Sequence, residues 1–125
     1  MQLISILLGG ALGAISRFAL SNLVSSILGR DFPYGTLTVN LMGSFLIGLF
    51  TVFFTLKSGI DPAIRLGILV GFLGALTTFS TFSLETLSLL EQGSFLAALS
   101  NILISVISCI VMVWLGMQLA KQMLS

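Results

Sequence analysis

Gly71-Phe72-Leu73-Gly74-Ala75-Leu76-Thr77-Thr78-Phe79-Ser80-Thr81-Phe82-Ser83 lies at the centre of a long apolar run and decides how the chain is read. Five of the seven residues from Thr77 to Ser83 carry hydroxyls and the other two are phenylalanines. Glycines and β-branched threonines have low helix propensity, and here they are concentrated at one depth of a segment that is otherwise long enough to span a bilayer. A break in the helix would free backbone carbonyls, which hydrocarbon tolerates only where they are buried in protein, line a cavity or hold an ion. The alternative is a continuous helix in which the hydroxyls bond back to the preceding turn. The break is the expectation.

Outward from this string, the run covers 62–90, and three more apolar stretches follow the same scale: 3–27, 35–56 and 94–120. A spanning helix needs roughly 20 mostly apolar residues, so the expectation is one domain, 1–125, of four transmembrane helices. Alternation over about ten residues, the mark of barrel strands, is missing. The connections hold turn formers: Arg30, Asp31 and Pro33 in the first, Gly59 in the second, Gly93 in the third. The composition agrees. Of 125 residues 57% are hydrophobic and 7% charged, against about 25% charged in soluble domains. A net charge of +1 gives no footprint for nucleic acid. Histidine is absent and cysteine occurs once, which removes His/Cys metal sites, disulfides and most acid–base catalysis. No phosphate-binding glycine loop with lysine is present. An enzyme is not expected. The first apolar run has no basic residue before it, so it is read as a retained helix and not a cleaved signal.

Lys57, Arg65 and Lys121 fall on one side of a four-span arrangement, Arg30 and Arg17 on the other. Three against two is scarcely a bias under the positive-inside rule, which leaves either a weak single orientation or chains inserted both ways. Gly9 with Gly13, and Gly67 with Gly71 and Ala75, are small-residue series that allow close helix packing.

Polar groups follow helical spacing. Thr36, Asn40, Ser44 and Gly48 recur every fourth position of the second span, and Asn101, Ser105 and Ser108 make a stripe on the fourth, bordered by Cys109. An amide in hydrocarbon is costly unless it is hydrogen-bonded or faces water, so the stripes read either as interhelical bonds or as a solvated path. Phe79 and Phe82 share a face, and their positive ring edges beside hydroxyl donors suit an anion. A cation path would use carboxylates or carbonyls. Glu85 is the one carboxylate well inside a span. It reads as functional or as snorkelling to the interface, and Arg17 as a cation at a pore mouth or an interfacial anchor. Four helices are too few to wrap a polar path, so a dimer or larger assembly is expected.

These residues resemble the small bacterial fluoride channels, the Fluc family, over essentially the whole chain. The similarity rests on the early Gly9-Gly10 with Ser16-Arg17-Phe18, on Gly35-Thr36-Leu37-Thr38-Val39-Asn40, and above all on the string from Gly74 to Glu85. The resemblance implies a fluoride-selective channel that passively exports fluoride, built as an antiparallel dual-topology homodimer in the bacterial inner membrane. It further implies two pores at the dimer interface and a structural Na+ on the two-fold axis. Carried over, Asn40, Phe79, Phe82, Ser105, Thr36 and Ser108 form the fluoride path, the backbone carbonyls of Gly74 and Thr77 hold the sodium, and Arg17 lies in the vestibule. Ala75 stands where the family usually has a second glycine, and Cys109 where it usually has serine. Two rivals remain: a small multidrug-type proton antiporter, which wants a carboxylate in the first span where this chain has Arg17, and a non-transporting membrane subunit.

Overall fold

The computed structural model describes residues 1–125 and is all helical. α1 spans Gln2–Leu28 and α2 Tyr34–Leu56. The third segment is composite: α3 (Pro62–Leu66), π-helical turns over Gly67–Phe72, α4 (Leu73–Leu76) and α5 (Phe79–Glu91). α6 spans Phe95–Leu124. Taken as Gln2–Leu28, Tyr34–Leu56, Pro62–Glu91 and Phe95–Leu124, these give four rods long and apolar enough to cross a membrane.

Local chemistry sets the ends. Pro62 sits in the first turn of α3, where its missing N–H costs nothing, and the Asp61 carboxylate accepts the Ala63 N–H at 2.9 Å. Arg65 in that turn reaches across to donate to the Phe54 carbonyl at 3.1 Å, with its guanidinium over the Phe54 ring. It thereby ties the start of the third segment to the end of α2. α5 closes in a Schellman turn: Ser94 N–H bonds Leu89 O at 2.9 Å and Gly93 N–H bonds Leu90 O at 3.0 Å. Gly93 supplies the positive φ, 80°, that this turn needs.

Two same-direction helix pairs make the bundle. α1 lies along α3 to α4, with Gly9 against Gly67 and Phe72, and Gly13 against Phe72 and Ala75. α2 lies along α6, with Gly48 against Val113 and Gly116 against Phe45 and Leu49. In both seams a Cβ on the glycine would overlap a backbone carbonyl oxygen of the partner helix. Backbone-to-backbone approach replaces the hydrophobic drive that lipid cannot supply. No pattern in the sequence marks the π turns. They fall where α1 packs backbone against backbone: a Cβ on Gly71 would meet Ile6 O at 2.6 Å. A small core of Val39, Leu73 and Leu76 joins the two pairs. Most large apolar side chains, Leu3, Phe18, Leu96 and Ile110 among them, remain exposed. That surface is the inverse of a water-soluble one.

Candidate functional site

Between α4 and α5 the chain is extended: Thr77 has φ −90° and ψ 156°, Thr78 φ −153° and ψ 119°. Thr77 closes the last turn of α4, its N–H and its Oγ1 both donating to Leu73 O, at 3.2 and 3.0 Å. Thr78 opens the next helix by accepting the Thr81 N–H on its Oγ1 at 3.1 Å. In a continuous helix the Thr78 N–H would go to Gly74 O. Here it donates to Asn40 Oδ1 at 2.8 Å, while Asn40 Nδ2 donates back to Thr78 O at 3.1 Å. The amide of Asn40 thus stands in for a neighbouring peptide and satisfies both main-chain groups of Thr78. One Nδ2 hydrogen of Asn40 is left over. The Gly74 carbonyl, on an exposed residue, loses its helical donor.

A groove of about 410 Å³ lies against this extended piece. Asn40, Gly74, Thr77, Phe79, Phe82 and Ser105 all line it. The two rings are 5.3 Å apart between centroids and tilted by 42°. Phe82 is 8% exposed and Phe79 75%, so one ring is wall and the other projects from the rim. No ionisable carboxylate, lysine or arginine lines the groove. Arg17 and Thr36 are elsewhere, in a second cavity of about 380 Å³ with Ser21, Thr78 and Thr81. Thr78 is the wall common to both. The Arg17 Nε is buried there without a hydrogen-bond partner. Glu85 lines a third, polar recess of about 450 Å³ with Arg30, Asp31, Ser88 and Gln92, and its Oε1 is likewise buried and unpaired.

Ser108 is half-buried and lines none of these cavities, whereas Cys109 lines the groove. The reason is angular. The lining face of α6 is centred among Ser105, Val106, Cys109 and Ile110, and at 100° per residue Ser108 points roughly 130° away. Behind the groove lies a buried relay that no spacing in the sequence indicates. Ser105 Oγ donates to Asn101 Oδ1 at 3.2 Å, Asn101 Nδ2 to Thr86 Oγ1 at 2.9 Å, and Thr86 Oγ1 to Phe82 O at 2.7 Å. Asn101 was visible as part of a stripe, but nothing in the sequence pairs it with Thr86. No cluster of His, Cys, Asp and Glu could hold a metal. The oxygens without helical donors are backbone carbonyls such as that of Gly74.

Chemically, the groove offers neutral donors and two aromatic rings beside unwound backbone. It can replace part of the hydration shell of a small anion without a fixed countercharge that would trap it.

The family model described as CrcB-like protein, Camphor Resistance (CrcB), matches residues 4–117. A protein of Geobacter sp. (strain M21) named fluoride-specific ion channel FluC is 52% identical over 120 residues, 96% of this chain and 97% of its own. One of the same name from Citrifermentans bemidjiense is 51% identical over 120 residues, with the same coverage. Another, from Methylococcus capsulatus, is 51% identical over 123 residues, which is 98% of this chain and 54% of that longer protein.

Proposed function

Because this chain belongs to the CrcB-like family, which includes proteins named fluoride-specific ion channels, we infer that it is a multi-pass membrane protein that conducts fluoride and is no enzyme. The observation that carries the reading is the uncharged groove in which the Phe79 and Phe82 rings, Ser105 and the Asn40 amide converge on the extended Thr77-Thr78.

Fluoride is small and tightly hydrated, so a narrow path must offer donors as water is removed. Arg17 attracts the anion into the cavity it shares with Thr36, and the Thr81 hydroxyl, which accepts the Thr78 proton and keeps its own free, receives it. Beyond the Thr78 wall the free Asn40 Nδ2 hydrogen, Ser105 and the ring edges of Phe79 and Phe82 continue the track. Ser108 has no place in it, and Cys109 takes the far position. Flow is passive. Hydrogen fluoride enters cells as a neutral acid and dissociates inside, so a leak for the anion across the inner membrane lowers cytoplasmic fluoride.

The Gly74 carbonyl without a helical donor and the spare Asn40 hydrogen cannot face acyl chains, and Phe79 projects from the same groove with 75% of its surface uncovered. A second copy of the chain covers it, which makes the unit a homodimer. The near-balanced Lys and Arg distribution favours an antiparallel, dual-topology pair. The carbonyls of Gly74, exposed within α4, and of Thr77, in the extended piece that follows, are hard neutral oxygens that fit Na+. Two copies would supply four of them, and a sodium ion there would add a fixed positive charge between the protomers.

Reconstituted protein should release fluoride from loaded liposomes, read with a fluoride electrode, and should not release chloride. Phe82→Ile should abolish the release. Absence of flux from the pure protein would return the chain to the class of non-transporting subunits. Exchange of sodium for a large organic cation throughout preparation should lower both the dimer fraction and the flux. An unchanged dimer with unchanged flux would remove the ion from the account.

A further inference from the structure

Ser105 lines the groove, but the direction of its hydroxyl proton is fixed by groups behind it. Phe82 O, at the far end of the relay, is a carbonyl and can only accept. Thr86 Oγ1 is 2.7 Å from it, a separation at which two oxygens without a proton between them would repel. The Thr86 proton therefore lies on that line. With its one proton committed, Thr86 Oγ1 can only accept, so the nitrogen of the Asn101 amide must face it, at 2.9 Å. The amide oxygen is then turned to Ser105 and takes the serine proton at 3.2 Å, the longest link of the three. Burial removes any substitute: Thr86 is 7% exposed, Asn101 1% and Ser105 6%.

We propose that Asn101 competes with fluoride for the single hydroxyl proton of Ser105 and so sets how readily the ion leaves the groove. The inference rests on the reading of the groove as the fluoride path. As the ion arrives, Ser105 turns its proton from Asn101 Oδ1 into the groove, and the amide oxygen is left without a donor in a place water does not reach. As the ion departs, the proton returns. Fluoride is held more weakly by the worth of that internal bond, and weak holding is what rapid exit requires. Asn101 and Thr86 are positioning residues. They touch no ion and act through Ser105.

Flux against fluoride concentration in liposomes tests this. Asn101→Leu removes the competitor at similar volume. It should lower the half-saturating fluoride concentration about five-fold, the factor one ordinary hydrogen bond is worth, and lower maximal flux with it. Thr86→Val frees the amide to flip its nitrogen toward Ser105 and should move both quantities the same way, which keeps the test alive if the first variant does not assemble. Ser105→Ala should raise the half-saturating concentration, and on that background Asn101→Leu should do nothing more. A shift from Asn101→Leu that persists without the serine hydroxyl, or no shift with it present, overturns the competition. If Ser105→Ala itself leaves the concentration dependence unchanged, the groove reading falls and the proposal with it.

Discussion

Asn40→Leu is expected to abolish fluoride flux, by about 100-fold or more, and to weaken the assembled protein. The substitution keeps roughly the shape of the side chain but removes both hydrogen bonds to Thr78. A buried polar group left without a partner costs about 1–3 kcal/mol, and here an N–H and a carbonyl are orphaned together. Every ~1.4 kcal/mol is a factor of ten, so the extended piece has strong reason to leave its present conformation. The rings of Phe79 and Phe82, which follow directly, would leave with it. Asn40→Asp separates the two roles of the amide. It retains an acceptor for the Thr78 N–H, loses the donor to Thr78 O, and sets a carboxyl group where the anion must pass. That variant should assemble better than Asn40→Leu and conduct no better. Electrode flux and size-exclusion profiles on the same preparations check both expectations, and a conducting Asn40→Leu would contradict the account of the site.

Two adjacent glycines should respond oppositely to the same small change. Gly9→Ala would drive a methyl group into the Gly67 carbonyl oxygen, with the Phe72 backbone nitrogen of the same segment at 3.0 Å. Overpacking typically costs about 1–3 kcal/mol and sometimes more. Because both obstacles are main-chain atoms, neither can rotate away, and the loss falls at the upper end. At Gly10 the nearest atom to a new Cβ is Gly71 O at 3.9 Å, an ordinary contact. Alanine there removes the intrinsic helix penalty of glycine, about 1 kcal/mol. Gly9→Ala should therefore lose most of its assembled peak in detergent, while Gly10→Ala runs and melts like the parent or slightly above it. Equal behaviour would mean that the α1 seam is looser than its geometry.

The four spans were legible because length and apolarity alone define them. Asn40, Phe79, Phe82 and Ser105 were also legible as candidates, since polar or aromatic groups at one depth of an apolar chain stand out against their neighbours, and they do meet at one groove. What the sequence concealed is who bonds whom. Asn40 and Thr78 are 38 residues apart, and no periodicity links them. Thr36 shares a stripe with Asn40, yet a four-residue step turns about 40° around the helix, enough to place it in the other cavity. The same arithmetic misplaced Ser108 and hid Cys109. Thr86 sits among leucines and serines of α5 with no signal that its hydroxyl orients an asparagine on α6. The π turns over Gly67–Phe72 have no pattern of their own in the sequence, and they coincide with the close approach of α1.

The Asn40–Thr78 pairing also bears on biogenesis. Ribosomes add roughly 5–20 residues per second, so the 38 residues between the two make the amide wait roughly 2–8 s for its mate. Through that interval the newborn second helix has to keep water or the insertion machinery beside Asn40. Delivery into lipid should thus be completed by the second and third helices jointly, the later one arriving with the peptide that lets the earlier one settle.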